Sequence, residues 1–460
     1  MTKRQAVVIF LIALAVRLAY HQLVPAFDGS YDNGSDTGKY VWSALSILDH
    51  GEVVGVVDGE FYPDFERMPL YPHFVAAIFW QFGRENLAAV TAVQALAGAF
   101  TVLAVGLIAG ALNRRWVVPA ALLACIWPAF VVYAAWVLSD SLFVDLFTWG
   151  LCACVWAAKS RRWRSLLAAA GVAFGLALLT RPVLMFFPYL LAPVLVYLLV
   201  ANHGMRWPRA FGHALVPVAI MVALLSPRLI ASYAAYGSPV VTTQSGNHAL
   251  GLVYPCLRND ADCDRASIES KAHELVAAGL AELTEAERKN PVIVDAVNRR
   301  VALQLLSEVP PQIFALAVAD SAMRSVVQTM LYEVGDQLNQ NPTYFSAVQG
   351  STTGERAANF MAVVFTDPFM FIWAVAQFAV LLALPVQFVG LFAGLRDPAQ
   401  RSIVIFLVLT AGYFLATNLS FGNPKYGLPL NPAEIVLLVA GGHTILDWLR
   451  RRRLLRRAAM

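Results

Sequence analysis

Residues 86–115 read NLAAVTAVQALAGAFTVLAVGLIAGALNRR. From Asn86 to Leu112 there is no charged side chain, and Arg114 and Arg115 close the run. A helix needs about 20 apolar residues to cross the hydrocarbon core of a bilayer. A dense basic pair beside such a run marks the cytoplasmic side, because basic loops resist translocation. Working outward, comparable runs recur at 6–25, 116–136, 140–158, 165–181, 183–201, 210–228, 367–395, 402–418 and 427–448. The KSRRWR stretch at 159–164, His203 to Arg209 and Arg396 to Arg401 are basic as well, and with Arg114–Arg115 they fall on alternate connections. The tail, with Arg450 to Arg453, Arg456 and Arg457, belongs to the same side. About ten spans with both termini cytoplasmic satisfy the positive-inside rule without conflict. The expected fold is an all-α polytopic membrane protein.

Composition agrees. Of 460 residues, 58% are hydrophobic and 14% charged, against roughly 25% charged in an ordinary soluble domain. The formal charge of +4 is too small to suggest nucleic acid. The run at 6–25 follows a basic, polar start and has the flavour of a secretory signal. It is long, however, and no small-x-small cleavage site follows, so it reads as an uncleaved first span.

Two long polar connections lie on the side opposite the basic loops, at about 26–85 and 229–366. The chain divides accordingly into an N-terminal membrane module (1–228) with a first loop at 26–85, an extracytoplasmic cover (229–366), and C-terminal spans with a basic tail (367–460). Gly38–Leu48 and Pro69–Phe82 are amphipathic and bounded by turn residues, as expected of interfacial helices. Ala266 to Leu306 looks helical. Gln312 to Tyr332 carries Asp320 and Arg324 after Pro310–Pro311, and reads as an interfacial helix rather than a span. Cys256 and Cys263 share the polar segment PCLRNDADCD. Outside the cytoplasm they suit a disulfide; two free thiols in a loop are the other reading. No G-x-x-x-x-G-K-[ST] or G-x-G-x-x-G motif is present.

Ionisable residues at membrane depth are costly and are functional candidates by default. Here they are Arg17, Asp140, Asp145, Arg181, Arg228 and Lys425. On the orientation above, Asp140, Arg181, Arg228 and Lys425 all fall near the extracytoplasmic ends of their helices, facing a first loop rich in carboxylates. A carboxylate can take a proton from a nucleophile. Arg67, Arg181, Arg228 and Lys425 can hold a phosphate, Arg bidentately and Lys as a point charge. On spacing alone, interfacial anchors and ion pairs account for the same residues. None of the eight His has H-x-x-x-H spacing, so no metal is obligatory, although carboxylates alone can hold a divalent ion.

A series of motifs adds to this. The first loop has Asp36, Tyr40, Ala44 and Leu45, then Gly51; Glu66-Arg67-Met68-Pro69-Leu70-Tyr71-Pro72 leads to Phe82–Gly83. Gln94, Pro128, Tyr133 and Ser139-Asp140-Ser141-Leu142 follow, then Gly171 to Pro182, Pro227–Arg228, Tyr236–Gly237 and Ser245-Gly246-Asn247. Lys425-Tyr426-Gly427-Leu428-Pro429-Leu430-Asn431-Pro432 closes the series. In this order the chain resembles the GT-C superfamily of polyprenyl-phosphate-sugar-dependent glycosyltransferases, in particular bacterial relatives of the protein O-mannosyltransferases and the lipid A aminoarabinose transferases (glycosyltransferase family 39). Two departures stand out. Lys425 replaces the family's Arg, keeping charge but losing bidentate geometry, and Asp140 stands where many relatives carry Glu.

The resemblance implies inverting transfer of a sugar from a polyprenyl phosphate in the outer leaflet. Asp36 would be the base that deprotonates the acceptor hydroxyl, preferred over Asp28 and Asp32 because its i, i+4 spacing with Tyr40 puts both on one helical face. Glu66 and Asp140 would position substrate. Arg67, Arg181, Arg228 and Lys425 would meet the departing lipid phosphate, and Tyr40, Tyr71 and Tyr426 would offer hydroxyls or act as belt residues. Aromatic residues near Phe186–Phe187 and Phe369–Trp373 are candidates for a tail groove. The implied location is the inner (plasma) membrane with an extracytoplasmic site. The acceptor would be a cell-envelope glycan, a glycolipid or a protein; the sugar, the acceptor and the oligomeric state are not legible. The rival from another class is a transporter or flippase for a lipid-linked sugar, which calls for paired halves or helices broken at the midplane.

Overall fold

The computed structural model describes residues 1–23, 36–57, 60–258, 265–327, 352–421 and 424–458, with Met330 and Val334. Helix α1 (Lys3–Leu23) leads into the first long connection. That connection holds α2 (Asp36–His50), strands β1 (Val54–Val57) and β2 (Glu60–Pro63), and α3 (Leu70–Phe82). Next come α4 (Leu87–Leu112), α5 (Val117–Cys125), α6 (Pro128–Val132), α7 (Ser139–Ala157), α8 (Trp163–Thr180), α9 (Phe187–His203) and α10 (Trp207–Tyr236). The second connection carries α11 (Ser245–Arg258), α12 (Arg265–Ala281), α13 (Glu285–Arg288), α14 (Pro291–Glu308), α15 (Pro311–Val327) and α16 (Thr353–Thr366). The chain closes with α17 (Pro368–Arg396), α18 (Arg401–Asn418), a 3-10 stretch at Pro424–Leu430, and α19 (Asn431–Ala458). Among the described residues nine helices are long and apolar enough to cross a membrane, or eleven if each of two bent pairs is counted as a span.

The expected span at 116–136 is not one straight helix. It breaks between α5 and α6, and the pieces are bent by 54°. The cause is local: Pro128 disfavours helical backbone at the residue before it, and Trp127 is extended (φ −65°, ψ 119°). The interfacial helices expected in the first loop form as α2 and α3. Between them lies an antiparallel hairpin that the hydropathy pattern did not foretell, with Val54 opposite Pro63 and Val57 opposite Glu60. The helix expected over Gln312–Tyr332 forms over Pro311–Val327, and the turn at Pro310 sets it at 111° to α14.

Inside lipid, apolar side chains gain little from leaving their surroundings, and helix association rests on close packing. Phe147, fully buried, meets Phe174, Phe187 and Phe414 at ring-centroid distances of 5.5, 5.8 and 4.9 Å, which ties α7, α8, α9 and α18 together. Such aromatic pairs contribute about 0.5–1.5 kcal/mol each beyond area. Arg17 does not snorkel out of this core. It is 1% exposed, donates to the carbonyl of Ala13 at 3.0 Å, and fits only because Gly98 lacks a Cβ, which would stand 2.9 Å from its Nε.

The loops sort to two ends. At one, Lys159 Nζ donates to the carbonyl of Ala399 (2.6 Å), Asn202 Nδ2 to Ser402 Oγ (2.9 Å) and the His203 ring to the carbonyl of Ala157 (2.8 Å). The basic connections therefore gather there. The first loop, the start of α7, the end of α8 and the 3-10 stretch before α19 meet at the other end.

Candidate active site

Asp36 opens α2, where the helix dipole favours a carboxylate. Tyr40, one turn on, donates to Ser139 Oγ at 2.7 Å, and Thr37 Oγ1 donates to the carbonyl of Val137 at 3.3 Å. These bonds clamp α2 to the start of α7, where Asp140 occupies the first turn. Arg181 caps the end of α8. Pro182 holds it extended (φ −144°, ψ 132°), which turns its guanidinium away from the helix axis and into an ion pair with Asp140.

The segment carrying Glu66 and Arg67 is fastened by its main chain. The carbonyl of Phe65 accepts from the Thr243 amide (3.0 Å) and from Arg228 Nη2 (2.8 Å). The carbonyl of Glu66 accepts from Thr242 Oγ1 (2.8 Å), and that of Arg67 from Arg228 Nη2 (2.9 Å). Asp64 Oδ1 accepts from the Glu66 amide at 2.7 Å and completes the turn. On the far wall, Gly427 lets α15 approach Lys425–Tyr426: a Cβ there would lie 2.4 Å from the carbonyl oxygen of Ser325.

These elements enclose a cavity of about 310 Å³ lined by Asp36, Lys39, Tyr40, Glu66, Arg67, Asp140, Arg181, Lys425 and Tyr426, with Gln244, Asn247 and His248 from α11 and the residues before it. Arg67 Nη2 lies 2.7 Å from Asp36 Oδ1, and Lys425 Nζ lies 3.3 Å from Oδ2. Lys39 Nζ is 2.7 Å from Glu66 Oε1, which Gln244 also meets. The Tyr426 ring sits between two cations, 5.4 Å from the Arg181 guanidinium and 5.5 Å from Lys425 Nζ. Four cations thus face three carboxylates, and the carboxylates differ in access: Asp36 is 40% exposed and Asp140 5%. Burial pushes the Asp36 carboxyl up, but Lys425 and Arg67 outweigh it and hold the group below the usual carboxylate range. Loss of hydration within the cleft, then the facing Arg181, Arg67 and Lys425, push the His248 imidazole down to about 4.

Of the ten residues expected at the site, the cavity brings together Asp36, Tyr40, Glu66, Arg67, Asp140, Arg181, Lys425 and Tyr426. It does not include Arg228, whose guanidinium is taken up by the carbonyls of Phe65, Arg67 and Val241. Nor does it include Tyr71, fully buried, whose hydroxyl donates to Gln94 Oε1 at 2.6 Å. Gln94 in turn donates to the carbonyls of Ala134 and Trp136 at 3.2 and 2.7 Å. Lys39, Gln244, Asn247 and His248 were not anticipated as wall residues. Lys39 had a signal, three residues from Asp36 on the same helix. Asn247 closes the Ser245-Gly246-Asn247 motif, which carried no site assignment, and Gln244 and His248 flank it.

Asp28 and Asp32 lie outside the described residues, as does Cys263. Cys256 is buried and its thiol donates to the carbonyl of Leu252 at 3.3 Å. Among the described residues no group of three or more His, Cys, Asp or Glu side chains is arranged to hold a metal ion.

Residues 67–230 match the sequence signature of the family described as dolichyl-phosphate-mannose-protein mannosyltransferase. The matched stretch includes Arg67, Asp140, Arg181 and Arg228. No curated protein matches the chain. Among solved structures, the oligosaccharyltransferase AglB of Archaeoglobus fulgidus, in complex with an inhibitory peptide and a dolichol-phosphate, superposes with a TM-score of 0.54 at 13% identity, over 98% of this chain and 52% of its own. The same oligosaccharyltransferase tethered to an acceptor peptide containing the NVT sequon gives 0.56 at 12% identity, over 100% and 51%. This chain therefore spans about half the length of those structures, and at such identities the likeness speaks for the fold alone. ArnT from Cupriavidus metallidurans bound to undecaprenyl phosphate aligns over 96% of this chain and 77% of its own at 15% identity, with a TM-score of 0.39. The chain shares the all-α membrane fold of these oligosaccharyltransferase structures, and its residues 67–230 are similar to the mannosyltransferase family.

Proposed function

We propose that the protein is a membrane glycosyltransferase that moves a sugar from a polyprenyl-phosphate donor to an acceptor hydroxyl outside the cytoplasm, with inversion at the anomeric carbon. One observation carries the reading: a partly exposed carboxylate, Asp36, is paired with Arg67 and Lys425 in a cavity that also holds the Asp140–Arg181 pair. The family signature over 67–230 and the fold shared with a dolichol-phosphate-bound oligosaccharyltransferase support it.

The acceptor oxygen attacks the anomeric carbon as its proton passes to Asp36. The bond from that carbon to the phosphate oxygen breaks, and its electron pair leaves with the lipid phosphate. Arg67, Lys425 and Arg181 stabilise the charge that grows there. Arg228 acts at one remove, holding the Glu66–Arg67 segment, and Tyr71 supports the fold beneath Tyr40. The reaction as drawn needs no cofactor beyond the donor. Both termini are assigned to the cytoplasm of the plasma membrane, and the acceptor to an envelope glycan, glycolipid or protein. The second connection forms the cover.

Purified protein incubated with a panel of polyprenyl-phosphate sugars and candidate acceptors tests this. Transfer from at least one donor is expected, and Asp36→Asn, folded as the wild type is, abolishes it. A fully active Asp36→Asn protein removes the base assignment. Movement of the lipid-linked sugar across proteoliposome membranes without transfer favours the transporter instead.

A further inference from the structure

We propose that Arg67 and Lys425 restrain the base until the donor's phosphate draws them off, so that donor binding must precede attack by the acceptor. This rests on the glycosyltransferase reading and adds an order of events to it. Both oxygens of Asp36 are occupied, Oδ1 by Arg67 Nη2 at 2.7 Å and Oδ2 by Lys425 Nζ at 3.3 Å. A carboxylate clasped on both oxygens by cations is a poor proton acceptor. The same two cations are the ones an incoming phosphate would meet.

The Asp140–Arg181 pair is harder to exchange. Arg181 is held by Asp140, which is 5% exposed, whereas the Asp36 partner of Arg67 and Lys425 is 40% exposed. Arg67 also has an uncommitted donor. Its Nε is buried without a hydrogen-bond partner, and the nearest carboxylate oxygen, Glu66 Oε1, stands 3.7 Å away, too far for a hydrogen bond. A phosphate can take Nε and Nη2 together as a fork, which a single carboxylate oxygen cannot. Once the phosphate has done so, Asp36 regains affinity for a proton with the anomeric carbon already in place. Asp36 is then an internal competitor of the donor, a role that a simple ligand or base assignment does not give it.

The test runs against intuition: removing the carboxylate should tighten donor binding. Dissociation constants of a short-chain polyprenyl phosphate are measured in detergent for the wild type, Asp36→Asn and Asp36→Ala. Both variants are expected to bind about fivefold more tightly, the scale set by one partly exposed ion pair. Inorganic phosphate in a parallel arm separates a free anion from a lipid headgroup: a similar gain at much weaker affinity is expected. Equal or weaker lipid binding in the variants overturns the inference. A kinetic measurement on the wild type stands independently of any variant's folding. A dead-end acceptor analogue should inhibit uncompetitively against the donor, and a competitive or noncompetitive pattern overturns the ordered sequence. If the wild type binds no polyprenyl phosphate at all, the glycosyltransferase reading fails and this inference falls with it.

Discussion

Replacing Arg228 with Met separates two roles that its charge alone leaves confounded. Its fork donates to the carbonyls of Phe65 and Arg67 at 2.8 and 2.9 Å, and its Nε to that of Val241 at 3.1 Å. In Arg228→Met the Phe65 carbonyl keeps the Thr243 amide, while those of Arg67 and Val241 lose this donor. An unsatisfied carbonyl costs about 1–3 kcal/mol. The site is half-buried and water can reach part of it, so about 2–3 kcal/mol in total is a fair magnitude. The freed segment carries Glu66 and Arg67, and a misplacement of about 1 Å near reacting groups can cost about a hundredfold in rate. The expected outcome is a lower unfolding midpoint in detergent together with a roughly hundredfold lower kcat. Arg228→Lys should recover little, because an ammonium offers a point charge in place of a fork. Arg181→Gln, by contrast, should weaken binding of polyprenyl phosphate directly. An Arg228→Met protein that unfolds like the wild type but has lost phosphate affinity would refute the positioning argument and make Arg228 a ligand.

Three further outcomes follow from the geometry. Tyr71→Phe leaves Gln94 Oε1 without its 2.6 Å donor and should cost about 1–3 kcal/mol of stability with KM unchanged; a large rise in KM at unchanged stability would put the hydroxyl on the substrate. The His248 imidazole falls from 6.5 to about 4 in the folded protein, so between those values the unfolded chain binds more protons and stability drops as pH is lowered through that window. Unfolding midpoints measured from about pH 7 to about pH 4 should show the decline in the wild type and a flatter course in His248→Gln. Single cysteines placed at positions 36 and 160 should react with an impermeant maleimide from outside and only after permeabilisation, respectively; the reverse pattern overturns the orientation.

Much of the architecture was legible because lipid imposes a coarse rule: a long charge-free run flanked by basic connections is hard to place anywhere but across a bilayer. The amphipathic spacing in the first loop likewise gave α2 and α3. What escaped depended on local backbone or on distant partners. The break in the 116–136 run was signalled by Trp127–Pro128 and was hidden by the hydropathy around it. The β1–β2 hairpin had its own sign in the Asp58–Gly59 dipeptide between alternating residues, outweighed by the surrounding acids. Arg228 was expected to end its span, whereas α10 runs on to Tyr236, and nothing in a side-chain pattern shows that its targets are main-chain carbonyls 161 and 163 residues away in sequence. Tyr71 was similarly assigned from its position in a motif, whereas its partner Gln94 sits on another helix. Gln244 and His248 reach the cleft only through the way α11 folds back, which spacing does not encode, and the Ser245-Gly246-Asn247 motif did not by itself say that Asn247 lines the cleft.

The fastening of residues 65–67 bears on how such a cleft can change. Arg228, Thr242 and the Thr243 amide grip oxygens that every amino acid possesses, so the scaffold does not inspect what residues 66 and 67 project into the cavity. Chemistry and anchorage are thereby uncoupled. Substitutions at Glu66 and Arg67 can be explored, by evolution or in the laboratory, with the segment still held in place. On the proposed function, a change in what the cleft receives is then open to single steps at Glu66, whereas a change at Arg228 would disturb the anchorage of the whole segment.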